Sequence, residues 1–354
     1  MGFSRTKRVL AGSLLAASTM LFFRSDIGNN GYRQKEPIVD IAQKPKSVVE
    51  RAQKTVYIDL MAHDTHEQAA CDLPSALEQY KPDAVFFESM GTNKEEKSRI
   101  DTLMNKDILD WPDAVIGVRL AHEYKLRRIG VKLHFAEGYS GDEIFRLQKL
   151  LEDGNNLSYR AAPAYNAHDP LLAIDLLKRG EKITANFMLL RNNQIVKTIL
   201  ETDFENAVLF VGSIHIPIRR MLREAGVKVA FVKNVYNNSS LAIPYEEQMR
   251  GWAAQVDENK LAIRMLLETE IANEYIKLGF GNNPSLDILH FKIVAHQALA
   301  KREISLDEFI EMHRRGDSCT LNVIDCLKGF DIYIPDTREK FDKALKDAGI
   351  YGCR

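Results

Sequence analysis

His63 and His215 each close an apolar, strand-like run, residues 56–63 and 208–215, and each precedes a helix-like stretch. Glu88 ends a third such run, 83–88, and Glu137 follows a fourth, 131–136. In open α/β sheets the carboxyl ends of strands are where ligands and catalytic groups gather, so side chains far apart in sequence converge there. A carboxylate directly after a buried strand is costly unless it is solvated, paired or ligating. Arg191, with Asn192, interrupts the apolar run 187–190 and puts a guanidinium beside an otherwise apolar helix face. Two imidazoles, two carboxylates and an arginine suffice for a hydrolytic site. They could hold a divalent metal that activates water, or act directly as base and anion stabiliser.

The elements that must position these groups alternate along the chain. Short apolar runs at 55–61, 84–88, 131–135, 207–211 and 227–232 are the expected strands. Amphipathic patterns at 67–80, 95–104, 111–126, 142–152, 171–179, 183–201 and 217–224 are the expected helices. Strands alternating with helices predict α/β packing, and the fold expected here is a sheet of mixed direction flanked by helices. Residues 154–170 read as an irregular loop over the site. Beyond about residue 245 the pattern turns helical, with helices expected at 246–275, 286–301, 305–315 and 337–348 and one strand at 330–334. Ser305 and Glu308 form a capping-box pair at the head of one of them. The folded chain thus divides into an α/β domain, 51–245, and a helical C-terminal unit, 246–354.

The remaining histidines lack such a context. His66 lies one helical turn from His63 and is a secondary candidate ligand, but no second histidine completes an HExxH pattern. His134 lies within a strand, and His290 and His296, six apart, do not share a helix face. They read as structural.

The bulk composition narrows the classes. With 45% hydrophobic and 27% charged residues and a net charge of -1, the 354-residue chain has neither the basic domain nor the arginine–lysine stripe that nucleic acid demands. Cys71, Cys319, Cys326 and Cys353 show no metal-cage spacing. Arg5, Lys7 and Arg8 precede the uncharged run 9–23, which Arg24 closes, the pattern of an export signal or signal anchor over 1–27. A polar linker, 28–50, follows. The positive-inside rule keeps the basic end cytoplasmic and sends the bulk of the chain outside, tied to the membrane through this segment.

These motifs resemble the TraB/GumN/Tiki family, within the wider erythromycin-esterase/ChaN-like superfamily. The resemblance rests on Leu60-Met61-Ala62-His63, Phe87-Glu88, Ala136-Glu137, Arg191-Asn192 and Gly212-Ser213-Ile214-His215, and spans roughly residues 54–232. The last motif, followed by Met221-Leu222 and 225–229, is the most specific. In the first, Leu60 stands where the family has glycine. The resemblance implies an EreA/ChaN-like fold and a hydrolase acting on a peptide or ester bond. In it His63 and His215 would ligate a divalent metal (manganese, cobalt or zinc) or serve as general base. Glu88 and Glu137 would be ligands or orienting carboxylates, and Arg191 would stabilise charge on the substrate oxygen. It also implies alternatives: haem or iron binding of the ChaN type, or a catalytically silent interaction protein.

Overall fold

The structure, a computed structural model, describes residues 53–61, 66–88, 129–232, 240–253, 256–280, 284–318 and 323–348. The export segment, His63 and the expected helices at 95–104 and 111–126 lie outside these residues. In chain order the elements are β1 (Thr55–Met61), α1 (His66–Tyr80), β2 (Ala84–Phe87), β3 (Lys132–Phe135), α2 (Gly141–Asn166), α3 (Pro170–Glu201) and β4 (Asn206–Gly212). A 3₁₀ turn (Ser213–His215), α4 (Ile218–Glu224), β5 (Lys228–Phe231) and α5 (Ala242–Met249) follow. The chain then runs through α6 (Glu258–Lys277), α7 (Pro284–Leu299), α8 (Leu306–Ser318), α9 (Val323–Lys328) and α10 (Arg338–Asp347).

The strands form one sheet in the order β3-β2-β4-β1-β5. All its pairings are parallel, which corrects the expected mixed direction. The cause lies in the connections: β1 reaches β2 through α1, β3 reaches β4 through α2 and α3, and β4 reaches β5 through α4. Such crossovers return the chain to the same edge and so enforce parallel pairing. Central β4 is apolar on both faces because both are covered. Leu209 and Val211 pack with Ile58, Phe86 and, from the helices, Ile195, Ile199, Ile218 and Leu222. Val208 and Phe210 turn to the other face, against Phe87 and the Leu73 and Ala76 of α1. Asp83, in the turn before β2, accepts the backbone N–H groups of Glu205 and Asn206 and so ties the starts of β2 and β4.

The expected loop at 154–170 is instead helix. α2 runs for 26 residues, started by a Ser140–Glu143 capping box, and α3 for 32, started by Asp169 with Pro170 in its first turn. A turn at 167–169, with His168 left-handed at φ 63°, folds them into an antiparallel hairpin. Gly154 and Gly180 are where the two backbones meet. A β-carbon on Gly180 would stand 2.8 Å from the carbonyl oxygen of Gly154 and 2.6 Å from the Ser158 hydroxyl. Glycine is a local breaker in a helix by propensity, but here close helix contact selects it.

The base of α3 packs on the sheet. Its other half, with the tip of α2, packs into an apolar core shared with α5 to α10, through Ala173, Ile174 and Leu177 against Leu241, Leu267, Phe291 and Ile324. Two expected segments change here. The helix expected at 246–275 is broken into α5 and α6, Asp257 capping the latter, and 330–334 is not a strand. The Ser305–Glu308 capping box forms as expected, with reciprocal bonds of 2.9 and 3.2 Å. Among the described residues no helix is long and apolar enough to cross a membrane.

Candidate functional site

Glu88 directly follows β2, and its N–H extends the ladder to Phe210 O at 3.0 Å. Glu137 lies two residues past β3, and His215 ends the 3₁₀ turn after β4. Three neighbouring strands thereby deliver three polar groups to one edge, over which α3 passes with Arg191 and Asn192.

The guanidinium of Arg191 joins the two carboxylates. Its Nη2 donates to Glu88 Oε1 at 2.6 Å and to Glu137 Oε1 at 2.5 Å, and its Nε donates to Glu137 Oε2 at 2.9 Å. Tyr139 also donates to Glu137 Oε2, at 2.6 Å. Phe187 covers one face of the guanidinium, 5.3 Å from its ring centroid. Burial opposes the charge of Arg191, but Glu137 and Glu88 outweigh it and hold its pKa well above the ordinary value. Burial, then the neighbouring Glu137 charge, pushes the Tyr139 phenol far up, so it remains a donor.

His215 is completely buried. Its Nε2 faces Glu88 Oε1 at 3.0 Å and its Nδ1 faces Asn192 Oδ1 at 2.5 Å. The other Glu88 oxygen accepts the Gly212 N–H at 2.7 Å. Asn192 in turn donates to both oxygens of Glu246 on α5, at 2.9 and 2.7 Å. Arg250, one turn further along, donates to Glu246 Oε1 through Nε and Nη2, at 2.9 and 2.6 Å. The result is a continuous chain of charged and amide groups from the sheet edge into the helical region.

Of the residues singled out in sequence, Glu88, Glu137, Arg191 and His215 are thus joined in one bonded network. His63 lies outside the described residues. The strand leading to it ends at Met61, in register with Gly212. His66 is the first residue of α1. His134 stacks on Phe86 within the sheet, ring centroids 5.0 Å apart. Tyr139, Glu246 and Arg250 were not anticipated. Tyr139 carried the weak signal of lying two residues from Glu137, and Glu246 with Arg250 carried only the four-residue spacing of an ordinary helix-surface ion pair.

The described donors do not fit a divalent cation. Arg191 lies between the two carboxylates that would ligate it, and Asn192 occupies Nδ1 of His215. No set of three histidine, cysteine or acidic side chains among the described residues is arranged to hold a metal. A groove of about 1190 Å³ runs beside the network, its walls including Leu147, Leu190, Lys197 and Trp252. Tyr139 and Arg250 belong to both groove and network. Comparison with protein-family models, with curated proteins and with solved structures finds no match.

Proposed function

We propose that the chain is a hydrolase of the Tiki/TraB or erythromycin-esterase-like kind, cleaving a peptide or ester bond without a metal at the carboxyl edge of its sheet. One observation carries this reading: a histidine–carboxylate pair, His215 with Glu88, held against an arginine where three parallel strands end. Of the three, Glu88 and Arg191 keep 9% and 8% side-chain exposure, while His215 keeps none. Glu88 therefore meets the reacting water and His215 shares the proton from behind.

In the reaction the pair takes a proton from water as its oxygen adds to the substrate carbonyl carbon. The same proton passes to the leaving oxygen or nitrogen as the bond to carbon breaks. Arg191, the cation held against this pair, is the donor proposed for the developing oxyanion. Glu137 and Tyr139 hold the guanidinium in place. The test is turnover of short-acyl esters and of unstructured peptides by the full chain in detergent, with and without a chelator. Activity that survives chelation and falls by at least about 100-fold in Glu88→Gln supports the reading. Activity that requires an added divalent metal overturns the metal-free mechanism.

A second reading draws on the same geometry. Each carboxylate of the network is already matched to a cation, as in a buried ion cluster that only fixes the fold. In that case Glu88→Gln alters stability and no substrate is turned over.

A further inference from the structure

Among the described residues the helical C-terminal region reaches the sheet edge through a chain of side-chain bonds, and the direction of each bond can be assigned. Arg250 is a permanent cation with donors only, and its two N–H groups fix the Glu246 carboxylate as an acceptor. Both Glu246 oxygens then face the Asn192 side chain, at 2.9 and 2.7 Å. Only the NH₂ end of an amide can satisfy two acceptors, so the carbonyl end, Oδ1, is turned toward His215. That oxygen cannot donate. The 2.5 Å contact it makes with His215 Nδ1 therefore requires the proton on Nδ1.

We infer that Glu246 and Arg250 are positioning residues that set the tautomer of His215 through Asn192, leaving Nε2 as the ring nitrogen that exchanges a proton with Glu88. This inference deepens the acid–base reading of the His215–Glu88 pair and rests on it for its meaning in catalysis, though not for its physical content. It gives the C-terminal region a part in the site from which none of its residues was expected. It also explains a pairing that is otherwise expensive. Glu246 is fully buried, and removing a carboxylate from water is offset only where all its bonds are made. A surface helix pair would have given the same ion pair with no desolvation cost.

The alternative tautomer shows what is at stake. If the Asn192 amide turned over, its NH₂ would face Nδ1, the proton would move to Nε2, and an N–H would point at Glu88 in place of the lone pair. A neutral imidazole in that state can donate to the carboxylate but cannot take a proton from it. Substitution of Glu246 by glutamine frees the amide to turn, because a glutamine presents a donor as well as an acceptor.

The experiment is ¹⁵N-histidine nuclear magnetic resonance on the full chain in detergent, with the His215 signals assigned by their loss in His215→Gln. In the wild type, Nδ1 of His215 is expected to carry a proton throughout the pH range in which the fold persists. In Glu246→Gln the proton is expected to spread over both ring nitrogens, and if the chain is an active hydrolase kcat falls about 10- to 100-fold with KM held. Glu246→Asp, which keeps the charge, is expected to restore the Nδ1-protonated form. A wild-type spectrum with Nδ1 bare overturns the assignment outright, even if Glu246→Gln fails to fold. A Glu246→Gln protein that is less stable but keeps the wild-type tautomer overturns the positioning role. An altered tautomer in a chain that hydrolyses nothing leaves the relay standing and removes the hydrolase reading, so the two failures are distinguishable.

Discussion

His215 meets Glu88 at the carboxyl edge of the sheet, and His296 meets Glu268 where α7 packs on α6. The contacts are alike in length, 3.0 and 2.8 Å, and both pairs are largely withdrawn from water. Their surroundings differ. The first pair is bounded by groups from β2, β4, α3 and, through Asn192, α5, none of them neighbours in sequence. The second joins two consecutive helices along their shared face. A buried histidine–carboxylate contact is therefore no signature of chemistry in itself. What distinguishes the sheet-edge pair is that several strand ends and a long helix spend their polar groups on the same small volume.

Five substitutions, the last two read as a pair, would break or sharpen this contrast. Arg191→Met leaves Glu88 and Glu137 buried and facing each other, and is expected to cost about 3–5 kcal/mol in urea unfolding. A loss under about 1 kcal/mol would mean that water already neutralises this edge. Gly180→Ala probes the hairpin rather than the edge. Its methyl group would meet the Gly154 carbonyl at 2.8 Å, so the hairpin must open, at about 1–3 kcal/mol. Hydrolytic activity that fell with stability would show that the hairpin sets the site's geometry.

The third concerns pH. Burial holds the Glu181 carboxyl above its ordinary 4.5, against bonds from Ser240 and Ala242 that favour its charge. A carboxyl whose folded pKa is raised binds its proton more tightly folded than unfolded. The contribution of Glu181 to stability is thus greatest below 4.5 and declines as pH rises toward the folded value, by at most about 1.4 kcal/mol per pH unit. Glu181→Gln should abolish that decline in pH-dependent unfolding while leaving the sheet edge intact. The smallest effect is expected from His296→Gln. It should cost about 1 kcal/mol and leave catalysis unchanged, whereas His215→Gln should remove catalysis. Equal loss of activity in both would erase the distinction between the pairs.

Much of the sheet was legible because a buried parallel strand is a short, uninterrupted apolar run. The reading 55–61 coincides with β1, and the other four strands agree to within a residue or so at each end. The hairpin was not legible at 154–170. Gly154 and Pro163 are breakers by propensity, and the tolerance of Gly154 depends on α3 pressing close, which no local pattern encodes. The 330–334 run looks like a strand for a related reason: Ile332 and Ile334 are buried, but they plug the helical core instead of joining a ladder.

At the site, position along a strand identified Glu88, Glu137 and His215, since a polar group at the end of a buried run is conspicuous. Arg191 and Asn192 stood out as polar residues after an apolar stretch. Glu246 could not be recognised, because its environment is made by a helix 54 residues away in sequence, and on its own helix it resembles any solvated glutamate. The burial of His215 between Asn192 and Glu88 makes it a structural member of the cluster, whatever its chemistry.

The late position of α5 has a consequence for how the protein is born. Synthesis delivers Glu88, Glu137, Arg191 and His215 before Glu246 and Arg250 leave the ribosome, and the five strands can pair before α5 exists. Until then Asn192 has no anchor, and nothing dictates which end of its amide His215 meets. On the proposed acid–base reading, a nascent chain would own its sheet before its proton path, and the final helices would be the step that arms it.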